Sequence, residues 1–171
     1  HNPGIIFLDE PTAGIDPVAR RDLWDLLFRL SGGGTTLFVT THYMDEAERC
    51  SDVAYIYQSR LIVCGRPEEL KALPEVTPAG HCRMVVEADD SRRVLEALRR
   101  MSGVADATLF GQDVHLLVAD AVHEGGIADA LASRGLKARG VRPAEPSLED
   151  VFVMLTRLHT ARTADAAAGR G

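Results

Sequence analysis

The sequence predicts a mixed α/β protein with a parallel-sheet layer over residues 1–75 and a smaller α+β domain over residues 82–158. Three observations predict it. A continuous apolar run, Ile5–Leu8, ends in the acidic pair Asp9-Glu10, as a buried parallel strand does. Strand-like and helix-like segments alternate through residue 73, which calls for crossover helices. After a proline- and glycine-bearing stretch the order becomes β-α-β-β-α-β, the split βαβ pattern of ferredoxin-like domains.

The elements follow in order. Asp16 is placed to cap a helix whose first residue is Pro17. Leu23, Trp24, Leu27, Phe28 and Leu30 give that helix one apolar stripe, and Ser31-Gly32-Gly33-Gly34 ends it. Thr36–Thr40 is a second strand, Met44–Cys50 a short acidic helix and Val53–Tyr57 a third strand. Leu61–Val63 is a fourth, and Pro67–Leu73 a short helix with Glu68 and Glu69 at its positive end. Ala72–His81 carries two prolines and a glycine without periodicity, and residues 76–81 are the linker proper. Beyond it come strand Cys82–Ala88, helix Ser91–Met101, strands Val104–Phe110 and Val114–Val118, helix Glu124–Arg134 and a weak strand, Lys137–Arg142. Ser147 caps a last helix, Leu148–Leu158, with Asp150 completing an imperfect capping box. Residues 159–171 have no periodicity and read as a disordered tail.

Composition narrows the function classes. The 171 residues carry 19 Lys+Arg against 25 Asp+Glu, a formal charge of −6, which argues against nucleic acid as a partner. No apolar stretch approaches the roughly 18–20 residues that span a bilayer. Three widely spaced cysteines, Cys50, Cys64 and Cys82, suit free thiols inside a cell better than a disulfide scaffold.

The chemistry-bearing residues lie in the first half. Two carboxylates at the C-terminal end of a buried strand sit where open α/β sheets bind ligands. There one can support a metal and the next can orient water. Read alone, Asp9-Glu10 is equally a strand end meeting solvent, Asp16 no more than a helix cap, and His42 a solvated loop residue. Asp45, Glu46 and Glu48 read as solvated acids in a helix's first turn.

Taken together, Ile5–Pro17 (IIFLDEPTAGIDP) and Thr40–Glu48 (TTHYMDEAE) resemble the ATP-binding subunits of ABC transporters. The resemblance implies the rear part of a P-loop NTPase core that binds ATP and Mg²⁺. Asp9 would support Mg²⁺ through water, Glu10 would polarise the attacking water, and His42 would touch the γ-phosphate. Ala13, Gly14 and Asp16 would belong to the D-loop that crosses to a second copy of the subunit. Pro146-Ser147-Leu148-Glu149-Asp150-Val151-Phe152 resembles the end of ATPases of ABC-2 type exporters of the daunorubicin-resistance kind. That implies an ABC-2 type permease as membrane partner, a homodimeric subunit and a place at the inner face of the cell membrane.

The sequence departs from the family in ways that matter. There is no Gly-Lys-Ser/Thr phosphate loop, and the two lysines are Lys71 and Lys137. Leu30–Gly34 mimics the family's signature but follows the acidic strand and closes a helix, so it reads as a cap. The abrupt start at His1, just before the acidic strand, reads as the back portion of a longer protein. The expectation is a chain inactive by itself, with apolar surface exposed on its first half. The alternative is a non-catalytic interaction module left from a truncated ATPase.

Overall fold

A computed structural model describes residues 3–168, with side chains described through Ala161. The chain forms two compact units, His1–Cys50 and Ser51–Gly171.

The first unit begins with β1 (Ile5–Asp9), α1 (Pro17–Gly32) and β2 (Thr36–Thr40). β1 and β2 pair in parallel from Ile5↔Thr36 to Asp9↔Thr40, so the acidic end of one strand abuts the threonine end of the other. Asp16 caps α1 by accepting from Val18 N at 2.9 Å and Ala19 N at 3.1 Å. Trp24 and Leu27 bury the inner stripe of α1, and Gly33 closes it by donating to Arg29 O and Leu30 O. The signature-like run is therefore a helix terminus, as its position implied. α2 (Met44–Ala47) is one turn long.

β1 is not the fully buried strand its apolar run predicts. Ile5 is 57%, Phe7 74% and Phe38 57% exposed, while Ile6, Leu8, Leu37 and Val39 on the opposite face are half-buried. The cause is the two-stranded sheet, in which period-2 alternation leaves one apolar face bare. The expected apolar surface on the first half is present.

The second unit opens with an antiparallel hairpin, β3 (Val53–Tyr57) and β4 (Arg60–Gly65). Its turn residues, Gln58 and Ser59, both have positive φ, the geometry that matches strand twist. These strands, expected within the first domain, fall in the second compact unit. They hydrogen-bond to each other, and Tyr55 stacks on Phe152 at 4.3 Å while its hydroxyl bonds Thr156 at 2.7 Å. α3 (Pro67–Lys71) buries Leu70.

A four-stranded antiparallel sheet follows, of β5 (His81–Ala88), β6 (Val104–Phe110), β7 (Asp113–Ala119) and β8 (Ala138–Pro143), in the order β6-β7-β5-β8. Its core joins Met84, Val86, Val114, Leu116 and Val118 to Val94 and Leu98 of α4 (Ser91–Leu98) and to Ile127 and Leu131 of α5 (Glu124–Ala132). Val85 and Leu117, on the other face, are also buried.

Two expectations change here. The segment expected as a linker is packed: Val76 is wholly buried, and Arg83 donates to Val76 O at 2.5 Å and Thr77 Oγ1 at 3.2 Å. The last helix, α6 (Leu148–Ala168), runs ten residues past its expected end, so residues 159–168 are helix and not a tail. Thr160 Oγ1 donates to Thr156 O within it. Residues 169–171 lie outside the described residues. The predicted capping box is formed, with Ser147 Oγ accepting from Asp150 N and Asp150 Oδ2 accepting from Ser147 N.

Candidate functional site

The parallel register sets Asp9 beside Thr40, and the rest of the site grows from that pair. Thr40 Oγ1 donates to Asp9 Oδ1 and accepts from Glu10 N at 3.0 Å. Glu10 N also reaches Thr40 O at 3.1 Å. One hydroxyl thus orients the first carboxylate and fixes the backbone of the second.

Glu10 has φ 41°, a left-handed value that non-glycine residues adopt at a cost of order 1–3 kcal/mol. The chain turns there, with Ala13 N donating to Glu10 O at 3.0 Å. The carboxylate of Glu10 comes to lie 3.2 Å, Oε2 to Nδ1, from His42. Both side chains are about half exposed, at 49% and 56%. Asp9, Glu10, Thr40 and His42 therefore gather at the C-terminal end of β1 and β2.

Of the remaining residues singled out in sequence, Ala13 and Gly14 are exposed in the turn after Glu10, and Gly14 has φ 75°. The Asp16 carboxylate is committed to the start of α1. The N–H groups of Ala19 and Val18 hold its pKa below the ordinary value of 3.8. Its capping role is what the structure displays.

Sequence reasoning missed two residues. Thr40 carried a signal only through its position opposite Asp9 in a parallel pair. Glu46, expected as a solvated acid, is fully buried, whereas Asp45 and Glu48 are exposed as expected. Thr41 Oγ1 donates to Glu46 Oε2 at 2.8 Å, and Arg20 Nε lies 3.7 Å from Oε1. Burial pushes the Glu46 carboxyl up, but Thr12, Thr41 and Trp24, with the charge of Arg20, outweigh it and hold the pKa below 4.5. Thr12 Oγ1, Trp24 Nε1 and Glu46 Oε1 are all buried without close hydrogen-bond geometry, so part of this stabilisation is longer-range. The Cys50 thiol is pushed up by burial and then by Glu46, so it is an unreactive half-buried thiol.

Among the described residues, no three His, Cys, Asp or Glu side chains gather to ligate a metal directly. An exposed carboxylate with one oxygen anchored by a hydroxyl, as at Asp9, suits a hydrated cation held through water. No helix among the described residues is long and apolar enough to cross a membrane.

No protein-family model matches the chain. Individual relatives do. The probable multidrug ABC transporter ATP-binding protein YbhF of Escherichia coli K12 is 30% identical over 153 residues, covering 90% of this chain and 25% of that protein. The daunorubicin resistance ATP-binding protein DrrA3 of Streptomyces coeruleorubidus is 35% identical over 90% of this chain and 48% of its own length. The Nod factor export ATP-binding protein I of Ralstonia nicotianae is 37% identical over 91% and 47%. The chain thus spans between a quarter and a half of the length of these curated relatives. Its similarity to ABC transporter ATP-binding proteins runs over about nine-tenths of its own length.

Proposed function

We propose, from the chain's kinship with ABC transporter ATP-binding proteins, that it supplies part of the ATP-hydrolysing site of an efflux transporter's ATPase subunit. The observation that carries the reading is the Glu10–His42 pair, 3.2 Å apart beside Asp9 at the end of a parallel strand pair. Glu10 accepts a hydrogen bond from water and orients its lone pair toward the terminal phosphate. His42 holds the Glu10 rotamer through Nδ1 and offers its other ring nitrogen to the γ-phosphate. Asp9 would hold Mg²⁺ through water, with Thr40 setting the carboxylate plane. When bound, Mg²⁺ neutralises charge building on the phosphate oxygens.

The phosphate-binding loop, its lysine and the signature belong, in this reading, to sequence outside these 171 residues. The exposed Ala13–Gly14 turn would face a second copy of the subunit. The membrane partner would be an ABC-2 type permease, with the subunit docked at the inner face of the cell membrane. We read residues 82–143 as a ferredoxin-like domain. The β-α-β-β-α-β order and the strand arrangement β6-β7-β5-β8 support it.

The test is Glu10→Gln in the complete ATPase subunit. The amide keeps the shape of the carboxylate but cannot act as a base. MgATP binding is expected to persist while hydrolysis falls by about 100-fold or more. Unchanged turnover would refute the assignment.

A further inference from the structure

We propose that Glu46 is a positioning residue that fixes His42 in front of Glu10, acting through Thr41, Arg20 and Tyr43. The inference rests on the reading of Glu10 and His42 as the working pair.

His42 is more than half exposed, so burial does not hold its ring in place. Its two chain neighbours do, and both are tied to Glu46. Thr41 Oγ1 donates to Glu46 Oε2 at 2.8 Å and accepts from Tyr43 N at 3.0 Å, closing the loop around His42. Arg20, drawn to Glu46, lays its guanidinium over the Tyr43 ring at 4.5 Å. The chain of contacts reaches His42 through Tyr43, because the two rings meet with centroids 4.1 Å apart. Thr12, buried in the turn just after Glu10, also acts on the Glu46 carboxylate. Glu46 therefore ties the segment that follows β2 to α1.

An apolar side chain at position 46 would anchor a one-turn helix without desolvating a carboxylate. What the carboxylate adds is a hydrogen-bond direction for Thr41 and a negative charge that draws Arg20 over the Tyr43 ring.

The test uses proton NMR of this chain. The Tyr43 ring should displace the His42 ring protons and show through-space contacts to them. Glu46→Gln keeps the size and the Thr41 bond but removes the charge that holds Arg20. Thr41→Val keeps the shape and removes the hydroxyl. Both are expected to abolish the His42–Tyr43 contacts, and Thr41→Ser is expected to retain them. Contacts that survive Glu46→Gln overturn the proposal. If that variant does not fold, contacts that survive Thr41→Val overturn it equally. In the complete subunit, Glu46→Gln should lower kcat about 10- to 100-fold with KM for MgATP unchanged. Lost contacts with unchanged kcat would leave Glu46 as the positioning residue and refute the catalytic reading of His42.

Discussion

Arg83 and Asp150 form a buried ion pair, Nη1 to Oδ1 at 2.6 Å, that ties β5 to the first turn of α6. Both side chains are less than a tenth exposed. The guanidinium also donates to Val76 O and Thr77 Oγ1, and Asp150 Oδ2 accepts from Ser147 and faces His115 Nδ1 at 3.5 Å. One pair thus closes three segments that are far apart in sequence.

Removing one partner leaves the other charged and buried. Arg83→Met is expected to cost about 3–5 kcal/mol, measured by urea unfolding. Adding Asp150→Leu should recover most of that loss, less about 1 kcal/mol for the helix cap that Asp150 completes. A double variant no more stable than Arg83→Met would refute this account.

The same carboxylate gives the unit an acid limit. Burial pushes the Asp150 pKa up, but hydrogen bonds from His115 and Ser147 and the charge of Arg83 bring it below the ordinary 3.8. A group with a depressed folded pKa stabilises fully above its unfolded value and loses that stabilisation as pH falls through the folded value. Thermal midpoints should therefore drop as pH falls below about 4, and Asp150→Asn should flatten that part of the profile. Glu46, also lowered, acts in the same direction in the first unit.

Two glycines should respond in opposite directions. Gly103 has φ 85°, and a Cβ there would stand 2.6 Å from Val122 Cγ2. Gly103→Ala is expected to destabilise by about 1–3 kcal/mol. Gly126 lies in α5 with open space around it, and Gly126→Ala should stabilise by about 0.5–1 kcal/mol. Paired denaturation curves decide both.

The bare face of β1 and β2 should make the chain associate. Phe7 and Phe38 meet with ring centroids 5.5 Å apart and planes tilted by 43°, and Ile5 extends the patch. Light scattering of the wild-type chain should show a mass that rises with concentration. Phe7→Ser with Phe38→Ser should hold it near the single-chain value.

Much of this was legible in the sequence, for identifiable reasons. The run Ile5–Leu8 and the block Thr36–Thr40 announce strands because their composition and length permit little else, and Asp16-Pro17 marks the α1 start through local capping chemistry. Asp9, Glu10 and His42 were legible as a motif. Glu46 was not, because a four-residue helix is too short to show a buried face by periodicity. Thr40 was not, because its role depends on register against a strand 31 residues away. The Arg83–Asp150 pair spans 67 residues and left no local trace. The extension of α6 was missed because its Ala- and Thr-rich end has high propensity in parts but no apolar stripe.

The bond from Tyr55 to Thr156 has a consequence for how the protein is made. Its partners are 101 residues apart. A ribosome adding about 5–20 residues per second exposes the β3–β4 hairpin for some 5–20 seconds before α6 emerges to cover it. A lone hairpin is marginal in water, so this stretch waits, with Tyr55 and Ile56 in reach of other chains, until α6 is made. A helix made about a hundred residues later thus completes a hairpin already in place.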